Sequence, residues 1–293
     1  MNKRKSFDED MQLHNSTKKE ARIAFFILCI IVLIAVIPLF WILISSFKID
    51  SEINKAGGFM FLPKTWTLRN FREILNFNNK QLPVYRWFIN SIFVSGSQTF
   101  IAVTIYSMSA YAYAKLKFKG KDFIFLSVMF LSSFPAITNV IPLYKIMHSL
   151  GWLNELIALI VPGLAGVLNI FLIRQFMYAI PDVILESARI DGAGEWRTFA
   201  GIVIPNCKPI LIAVGLFTFT GSWNDFLWPS IVINNIDRLT LTAGLQLAKG
   251  VYGNQVARMC TIATIAIIPM IILYLFTQKY FVKGISLDSG VKG

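Results

Sequence analysis

Residues that support metal binding, disulfide frameworks and acid–base catalysis are scarce in this sequence. Its 293 residues include only three cysteines and two histidines. Cys29, Cys207 and Cys260 are too widely separated for a CxxC metal motif or a disulfide framework. His14 and His148 lack the spacing of metal ligands. The sequence therefore predicts neither a metal site nor catalysis by histidine.

Motifs for nucleotide binding and hydrolysis are missing as well. The sequence contains no GxSxG, no HExxH, and no GxxxxGKS or GxxxxGKT. Gly120-Lys121 has neither the preceding glycine nor the following Ser or Thr of a P-loop. We therefore predict that the chain is not an enzyme and that it binds no ATP through a P-loop of its own.

Charged residues are few, and those present are mostly basic. Only 15% of the residues are charged and 55% are hydrophobic, with a mean hydropathy of +0.60 and a net charge of +12. Such a composition is typical of membrane proteins. Much of the basic excess lies at the ends of apolar runs, where it meets anionic lipid headgroups, and it forms no single patch. We predict that the chain contacts a lipid bilayer and no nucleic acid.

Six apolar runs are long enough to cross a bilayer, which predicts an all-α integral membrane protein with six transmembrane helices. The first run is longer than the ~7–15-residue core of a signal peptide, so it is interpreted as a span. The predicted spans cover residues 23–47, 88–114, 123–147, 156–178, 209–233 and 259–281. They divide the chain into a basic tail at 1–22, a first helix at 23–47, a connection at 48–87, a five-helix core at 88–283 and a tail at 284–293.

Basic residues predict which side of the membrane each loop faces. Six spans put both termini on one side, and seventeen of the 28 Lys and Arg residues lie on that side. Seven of the other eleven fall in the 48–87 connection, which weakens the asymmetry. The short loops differ more clearly, since four lysines lie within Lys115–Lys121 and only Lys145 lies between the third and fourth spans. By the positive-inside rule, both termini are predicted to be cytoplasmic.

One segment between the fourth and fifth spans, residues 182–205, carries six charges. Each charge costs about 2.5–3.5 kcal/mol at a membrane centre, so the segment cannot cross the bilayer. Its pattern predicts two short amphipathic helices joined at Gly192, with Val183, Ser187 and Ile190 on one face. A helix lying on anionic lipid would be mostly basic, whereas these charges have both signs. We therefore predict that the segment docks a protein in the cytoplasm.

A second polar feature lies in the fifth predicted span, within Ser222–Pro229. Asp225 is the most conspicuous charge in an apolar run, and burying it requires a partner or water. It indicates either a translocation path or a position at the outer membrane interface, where a charge costs less. In the second span, Asn90 and Gln98 either line a polar path or form interhelical hydrogen bonds. The candidate path residues are Asn90, Gln98, Trp223, Asn224 and Asp225.

The charged segment resembles the EAA loop of bacterial ABC-importer permeases, with Ser187 in place of the middle alanine. The residues that carry this resemblance, and that are expected to couple to an ATPase, are Glu186, Ser187, Ala188, Asp191, Gly192, Ala193, Phe199, Ile202 and Pro205. Further segments, including Trp223–Phe226 and Gln278–Val282, are similar to the carbohydrate-uptake group. Within that group the chain resembles the second, six-span permease subunit of maltose-type transporters.

The resemblance implies an ABC type I importer permease fold with cytoplasmic EAA coupling helices, in the bacterial inner (cytoplasmic) membrane. It implies import of a sugar or oligosaccharide together with a second homologous permease subunit, two ABC ATPase subunits and an extracytoplasmic solute-binding protein. The ATPase subunits would bind ATP and Mg, and this chain would bind no cofactor. Glu186 would be an ion-pair or capping partner in the ATPase cleft. The tail Gly290, Val291, Lys292 and Gly293 would reach the ATPase dimer interface, and a polar loop at 234–256 would contact the solute-binding protein.

Two alternatives to a sugar importer remain open at this point. The first is a permease of the same fold that carries another solute, such as a glycerol-phosphate or a peptide. The second is a stand-alone secondary transporter, which would also lack an ATP site. The EAA segment distinguishes an ABC permease from a stand-alone transporter, because only a permease needs a docking surface for an ATPase.

Overall fold

The computed structural model describes residues 2–53, 61–77, 79, 81–253 and 255–289, with side chains from Glu20 to Lys279 in those ranges. All regular structure in them is helical. The α-helices are α1 Asn2–Ser45, α2 Asp50–Ile53, α3 Arg69–Ile74, α4 Val84–Lys115, α5 Lys121–Ser132, α6 Val140–Ser149, α7 Ile157–Ile160, α8 Val167–Tyr178, α9 Asp182–Ile190, α10 Glu195–Thr198, α11 Ile204–Asn206, α12 Lys208–Asn224, α13 Leu227–Val232, α14 Leu241–Tyr252 and α15 Val256–Ser289. Short 3₁₀-helices cover Ala136–Asn139, Pro162–Leu164 and Ile236–Arg238, and a π-helix covers Phe199–Val203.

Among the residues that the structure describes, three continuous helical segments are long and apolar enough to cross a membrane: Glu20–Ser45, Val84–Lys115 and Val256–Lys279. Three bent helix pairs bring the number to six if each pair counts as one span. Their bends are 90° between Lys121–Ser132 and Ala136–Ser149, 46° between Ile157–Leu164 and Val167–Tyr178, and 80° between Glu195–Asn206 and Lys208–Asn224. The upper number agrees with the six predicted spans.

Prolines explain why two of the predicted spans are interrupted. A proline ring collides with the carbonyl four residues earlier, and the residue before a proline avoids helical geometry. Helix α5 ends three residues before Pro135, and the chain then turns by 90°. The run at 209–233 is not one continuous helix, because α12 stops at Asn224 and Asp225 is extended. Pro229, four residues after Asp225, accounts for that break.

The chain divides into two compact units. The first comprises the chain up to Phe71 and the start of α15, through Thr264. There the Asn70 amide donates to the carbonyls of Ser46 and Lys48, at 2.9 and 2.8 Å, and the Ala257 N–H donates to Asp50 Oδ1 at 3.0 Å. Most of the large apolar side chains of α1 between Ile23 and Leu43 are exposed. This unit therefore presents a long apolar surface.

The second unit, Arg72–Gly253 and the rest of α15, is built around α4. This 32-residue helix packs mainly against α8 and α12. Its core buries Tyr106 of α4, Ile173 and Met177 of α8, and Val214 of α12. Ser95, Gln98 and Ser107 of α4 are also buried, so this helix lies among others, as its polar and small residues predict.

Residues 234–253, which we call the capping segment, pack on the first turns of α4. The prediction of a polar loop at 234–256 is wrong for most of this stretch, because it contains the 3₁₀-helix and α14. Leu241, Gly244 and Ala248 recur at helical spacing and are buried. A Cβ atom on Gly244 would lie 2.2 Å from Trp87 Cε3, so only glycine lets α14 approach the Trp87 ring. Packing against α4 therefore makes this stretch helical.

Candidate functional site

The predicted pair of short helices in the charged segment is confirmed. Helix α9 ends in a Schellman motif, in which the Ala193 N–H donates to the Ala188 carbonyl at 2.9 Å and the Gly192 N–H to that of Arg189 at 3.0 Å. Gly192 has φ +80°, a left-handed conformation that favours glycine. The chain then enters α10, and the 80° bend before α12 keeps Glu195–Asn206 out of line with that helix. We call residues 182–206 the exposed helix pair.

The exposed helix pair presents apolar side chains that no described residue covers. Val183 is 70% exposed, Ile190 86% and Trp196 69%. Leu185 points the other way and is buried. The exposed carboxylate of Glu186 forms no hydrogen bond or ion pair with another described residue. An uncovered apolar face with an unpaired charge indicates a docking surface.

The predicted coupling residues divide between this surface and its support. Glu186, Ser187, Asp191, Gly192 and Pro205 are exposed, and Ala188 and Ala193 are half-buried. Phe199 is buried, with its ring centroid 5.2 Å from that of Tyr111 in α4. Ile202 packs against the core of the second unit. The side chains of Phe199 and Ile202 therefore support the pair from inside and are not part of its exposed face.

Two side chains from the last turns of α4 hold the exposed helix pair. The Tyr111 hydroxyl donates to Glu195 Oε2 at 2.6 Å, and Glu195 Oε1 accepts from Arg189 Nε at 3.1 Å. Lys115 Nζ donates to Asp182 Oδ1 and to the Ile180 carbonyl, both at 2.7 Å. The Lys115 ammonium holds the pKa of Asp182 below its usual value. Sequence reasoning missed this arrangement, because residues 84 positions apart show no pairing in one sequence.

A cavity of about 450 Å³ in the second unit is lined by residues of α4, α12 and α13, among others. Three of the five candidate path residues line it: Gln98, Asn224 and Asp225. Ser222 and Thr240 add two hydroxyl groups that sequence analysis did not single out, and the buried Thr240 Oγ1 has no hydrogen-bond partner among the described residues. Asp225 Oδ1 accepts a 3.3 Å hydrogen bond from the Trp228 N–H. The lining thus offers amide, hydroxyl and carboxylate groups.

The other two candidate path residues lie outside this lining. Asn90 donates to the carbonyls of Asp237 and Leu239, at 2.9 and 3.0 Å, which matches the hydrogen-bonding alternative. Trp223 is buried, and its indole Nε1 donates to the Ala266 carbonyl at 3.1 Å. Both side chains hold helices and loops together. The tail Gly290, Val291, Lys292 and Gly293 lies outside the described residues.

Comparisons with known proteins agree with this architecture. The family described as "Binding-protein-dependent transport system inner membrane component" matches residues 108–287. The arabinooligosaccharides transport system permease protein AraQ of Halalkalibacterium halodurans is 34% identical over 90% of this chain and 93% of its own length. The diacetylchitobiose uptake system permease protein NgcG of Streptomyces coelicolor is 28% identical over 93% of this chain and 89% of its own.

A solved structure supports the same fold. The crystal structure of a bacterial ABC transporter involved in the import of the acidic polysaccharide alginate contains a chain that matches this one with a TM-score of 0.78 and 23% identity. The match covers 91% of this chain and 98% of that one. The named relatives are transport permeases and not enzymes. The chain therefore belongs to the family of binding-protein-dependent transport system inner membrane components and has the fold of an ABC-importer permease.

Proposed function

We propose that this chain is a transmembrane permease subunit of an ABC importer that moves a sugar or oligosaccharide into the cytoplasm, using ATP hydrolysed by partner subunits. The observation that carries the proposal is the exposed helix pair, with an uncovered apolar face and an unpaired Glu186. A permease without its own P-loop needs such a surface, because an ATPase subunit must transmit its closure to the membrane helices.

The remaining partners are proposed because the chain belongs to a family of binding-protein-dependent transport components. The complex comprises a second homologous permease subunit, two ABC ATPase subunits and an extracytoplasmic solute-binding protein in the bacterial inner membrane. Both termini and the exposed helix pair face the cytoplasm, which the four lysines of Lys115–Lys121 support. The Gly290–Gly293 tail reaches the ATPase dimer interface. ATP and Mg bind to the ATPase subunits.

A sugar is the proposed solute for two reasons. The named relatives carry out the transport of arabinooligosaccharides and the uptake of diacetylchitobiose. The cavity lining also contains amide and hydroxyl groups from Gln98, Ser222, Asn224 and Thr240. Such groups donate and accept hydrogen bonds, as the hydroxyls of a sugar require.

The ATPase assignment is tested by co-purification. The chain is expressed together with its partner permease and ATPase subunits, purified through an affinity tag, and assayed for bound ATPase activity. The double variant Glu186→Ala/Ile190→Asp is expected to lose the ATPase, because it places a charge on the apolar face and removes the unpaired carboxylate. The control is Lys208→Ala, which alters an exposed charge just beyond the pair. Full ATPase recovery with the double variant would refute docking at this surface.

The solute path is tested separately, by uptake into proteoliposomes that contain the complete complex. Gln98→Ala and Asp225→Asn are expected to slow uptake of the sugar that the solute-binding protein binds, without loss of the ATPase. The control is Thr104→Ala, an exposed change on α4 outside the cavity lining. High affinity of the binding protein for a non-sugar solute alone would refute the sugar assignment. Uptake by this chain alone under an ion gradient would instead support a secondary transporter.

A further inference from the structure

Tyr111 and Lys115 lie four residues apart on α4, and each contacts a different helix of the exposed helix pair. Residues at i and i+4 share one face of a helix, so a single patch of α4 holds both short helices. Lys115 binds Asp182 in the first turn of α9, and Tyr111 binds Glu195 in the first turn of α10. The two contacts lie on either side of Gly192 along the chain.

The Lys115 contact is anchored by burial. The Lys115 side chain is only 3% exposed, whereas that of Asp182 is 74% exposed. Its ammonium group therefore depends on two acceptors, the Asp182 carboxylate and the Ile180 carbonyl. Moving α9 away from α4 would take the Asp182 carboxylate away from a buried ammonium group, which costs more than breaking a surface ion pair.

The Tyr111 contact joins three helices. Its ring packs on Phe199, and its hydroxyl meets Glu195, which also pairs with Arg189 of α9. Arg189 and Glu195 therefore cross-link α9 to α10 across the Gly192 turn. This cross-link favours movement of the exposed helix pair as one body.

Helix α4 connects this body to the cavity without a break. Val94 and Gln98 line the cavity, and Gln98 lies 13 residues before Tyr111 in the same continuous helix, about 20 Å along its axis. The covalent connections of the pair are less direct. An 80° bend separates Glu195–Asn206 from α12, and a non-helical Pro181 separates α8 from α9. A continuous helix transmits a rigid-body movement better than a bent connection does.

We propose that Tyr111 and Lys115 are positioning residues that clamp the exposed helix pair to α4, so that movement of the pair shifts the α4 wall of the cavity at Gln98. This inference rests on the proposed function, since the movement originates in the docked ATPase. It differs from coupling through the chain connections to α8 and α12 alone, because the connection to α4 is made only by side chains.

The decisive variant is Tyr111→Phe, which keeps the ring on Phe199 and removes only the hydroxyl. Its matched control is Tyr113→Phe, the same change on the same helix, where the hydroxyl forms no hydrogen bond with another described residue. The measurement is solute transported per ATP hydrolysed by the complete complex in proteoliposomes, with the ATPase content determined in parallel. A residue that only stabilises the fold would change the amount of complex and leave this ratio unaltered.

Tyr111→Phe is expected to lower the transport-to-ATP ratio at least about tenfold, the factor that one lost hydrogen bond to a charged partner would produce. Tyr113→Phe is expected to retain the ratio of the unaltered complex. An unchanged ratio in Tyr111→Phe, with the unaltered complex transporting normally, would overturn the clamp and leave the proposed function standing. An unaltered complex that hydrolyses no ATP would overturn both.

Discussion

The capping segment and the exposed helix pair both attach to α4, near its opposite ends, but they attach through different kinds of contact. At the capping end, Trp87 and Asn90 donate to backbone carbonyls, and Ser91 Oγ accepts from the Leu241 N–H at 2.7 Å. At the other end the contacts are mainly between side chains, namely Tyr111 with Glu195 and Lys115 with Asp182. Asn90 and Tyr111 are about 30 Å apart along the helix.

This difference separates a structural region from a docking region. Bonds to backbone groups, together with a tryptophan ring against Gly244, fix both the position and the shape of the capping segment. The contacts of Tyr111 and Lys115, together with core packing of the inner face, hold the exposed helix pair and leave Val183, Ile190 and Trp196 uncovered. The contacts of the capping segment therefore serve the fold, whereas the exposed helix pair keeps one face available to a partner.

Replacing one tryptophan in each region with alanine is expected to show this contrast most strongly. Trp87 is fully buried, so Trp87→Ala should destabilise the fold by about 3–5 kcal/mol, as for other large core side chains. Trp196 is 69% exposed, so Trp196→Ala should cost about 1 kcal/mol or less while weakening ATPase binding. Thermal unfolding of the purified chain in detergent measures the first effect, and co-purification the second. Equal destabilisation by the two changes would contradict the division of roles.

Two asparagine substitutions, Asn90→Ala and Asn206→Ala, test the same contrast between the regions with smaller expected changes in stability. Asn90→Ala removes a donor to two carbonyls and should cost about 1–3 kcal/mol, because the carbonyl groups of Asp237 and Leu239 lose a partner. Asn206→Ala removes an exposed bond to Ile202 within its own helical segment and should change stability by less than about 0.5 kcal/mol. Thermal unfolding of both variants distinguishes them. A large loss of stability for Asn206→Ala would show that the exposed helix pair is itself structurally essential.

The two regions also differ in how far the sequence alone predicts them. The break at Gly192 and the exposure of Val183 and Ile190 are local properties, so charge and helical spacing were sufficient to predict them. The helix in the capping segment was missed, because Gly244 is informative only when Trp87, 157 positions earlier, is known to pack on it. Likewise, no local pattern pairs Tyr111 with Glu195. Contacts between distant residues needed the three-dimensional structure.

Replacing each of two glycines with alanine tests whether the turn of the exposed helix pair is specified by backbone conformation. Gly192 has φ +80°, and a Cβ there would meet no atom within 4 Å, so Gly192→Ala introduces conformational strain of about 1–2 kcal/mol and no collision. Gly194 has φ −69° and equally open surroundings, so Gly194→Ala should be neutral or slightly stabilising. Thermal unfolding and ATPase co-purification are measured for both variants. If they behave alike, the left-handed turn is not what sets the angle between the helices.

A small effect on stability is expected from Asp182→Asn, because the Asp182 side chain is largely exposed and Lys115 keeps its bond to the Ile180 carbonyl. The pKa of Asp182 lies below its usual value of 3.8, chiefly because of its hydrogen bond with Lys115. A lowered pKa in the folded chain means that the contact stabilises the fold above that usual value and is lost as the pH falls through the folded pKa. The difference in melting temperature between Asp182→Asn and the unaltered chain should therefore be constant from about pH 8 to pH 5 and disappear only at more acidic pH.

Lys115→Met provides the comparison at the buried side of the same contact and should destabilise more, since it leaves Asp182 and the Ile180 carbonyl without their donor. A difference for Asp182→Asn that varies between pH 5 and pH 8 would show that another titrating group, and not this ion pair, sets the stability of the exposed helix pair.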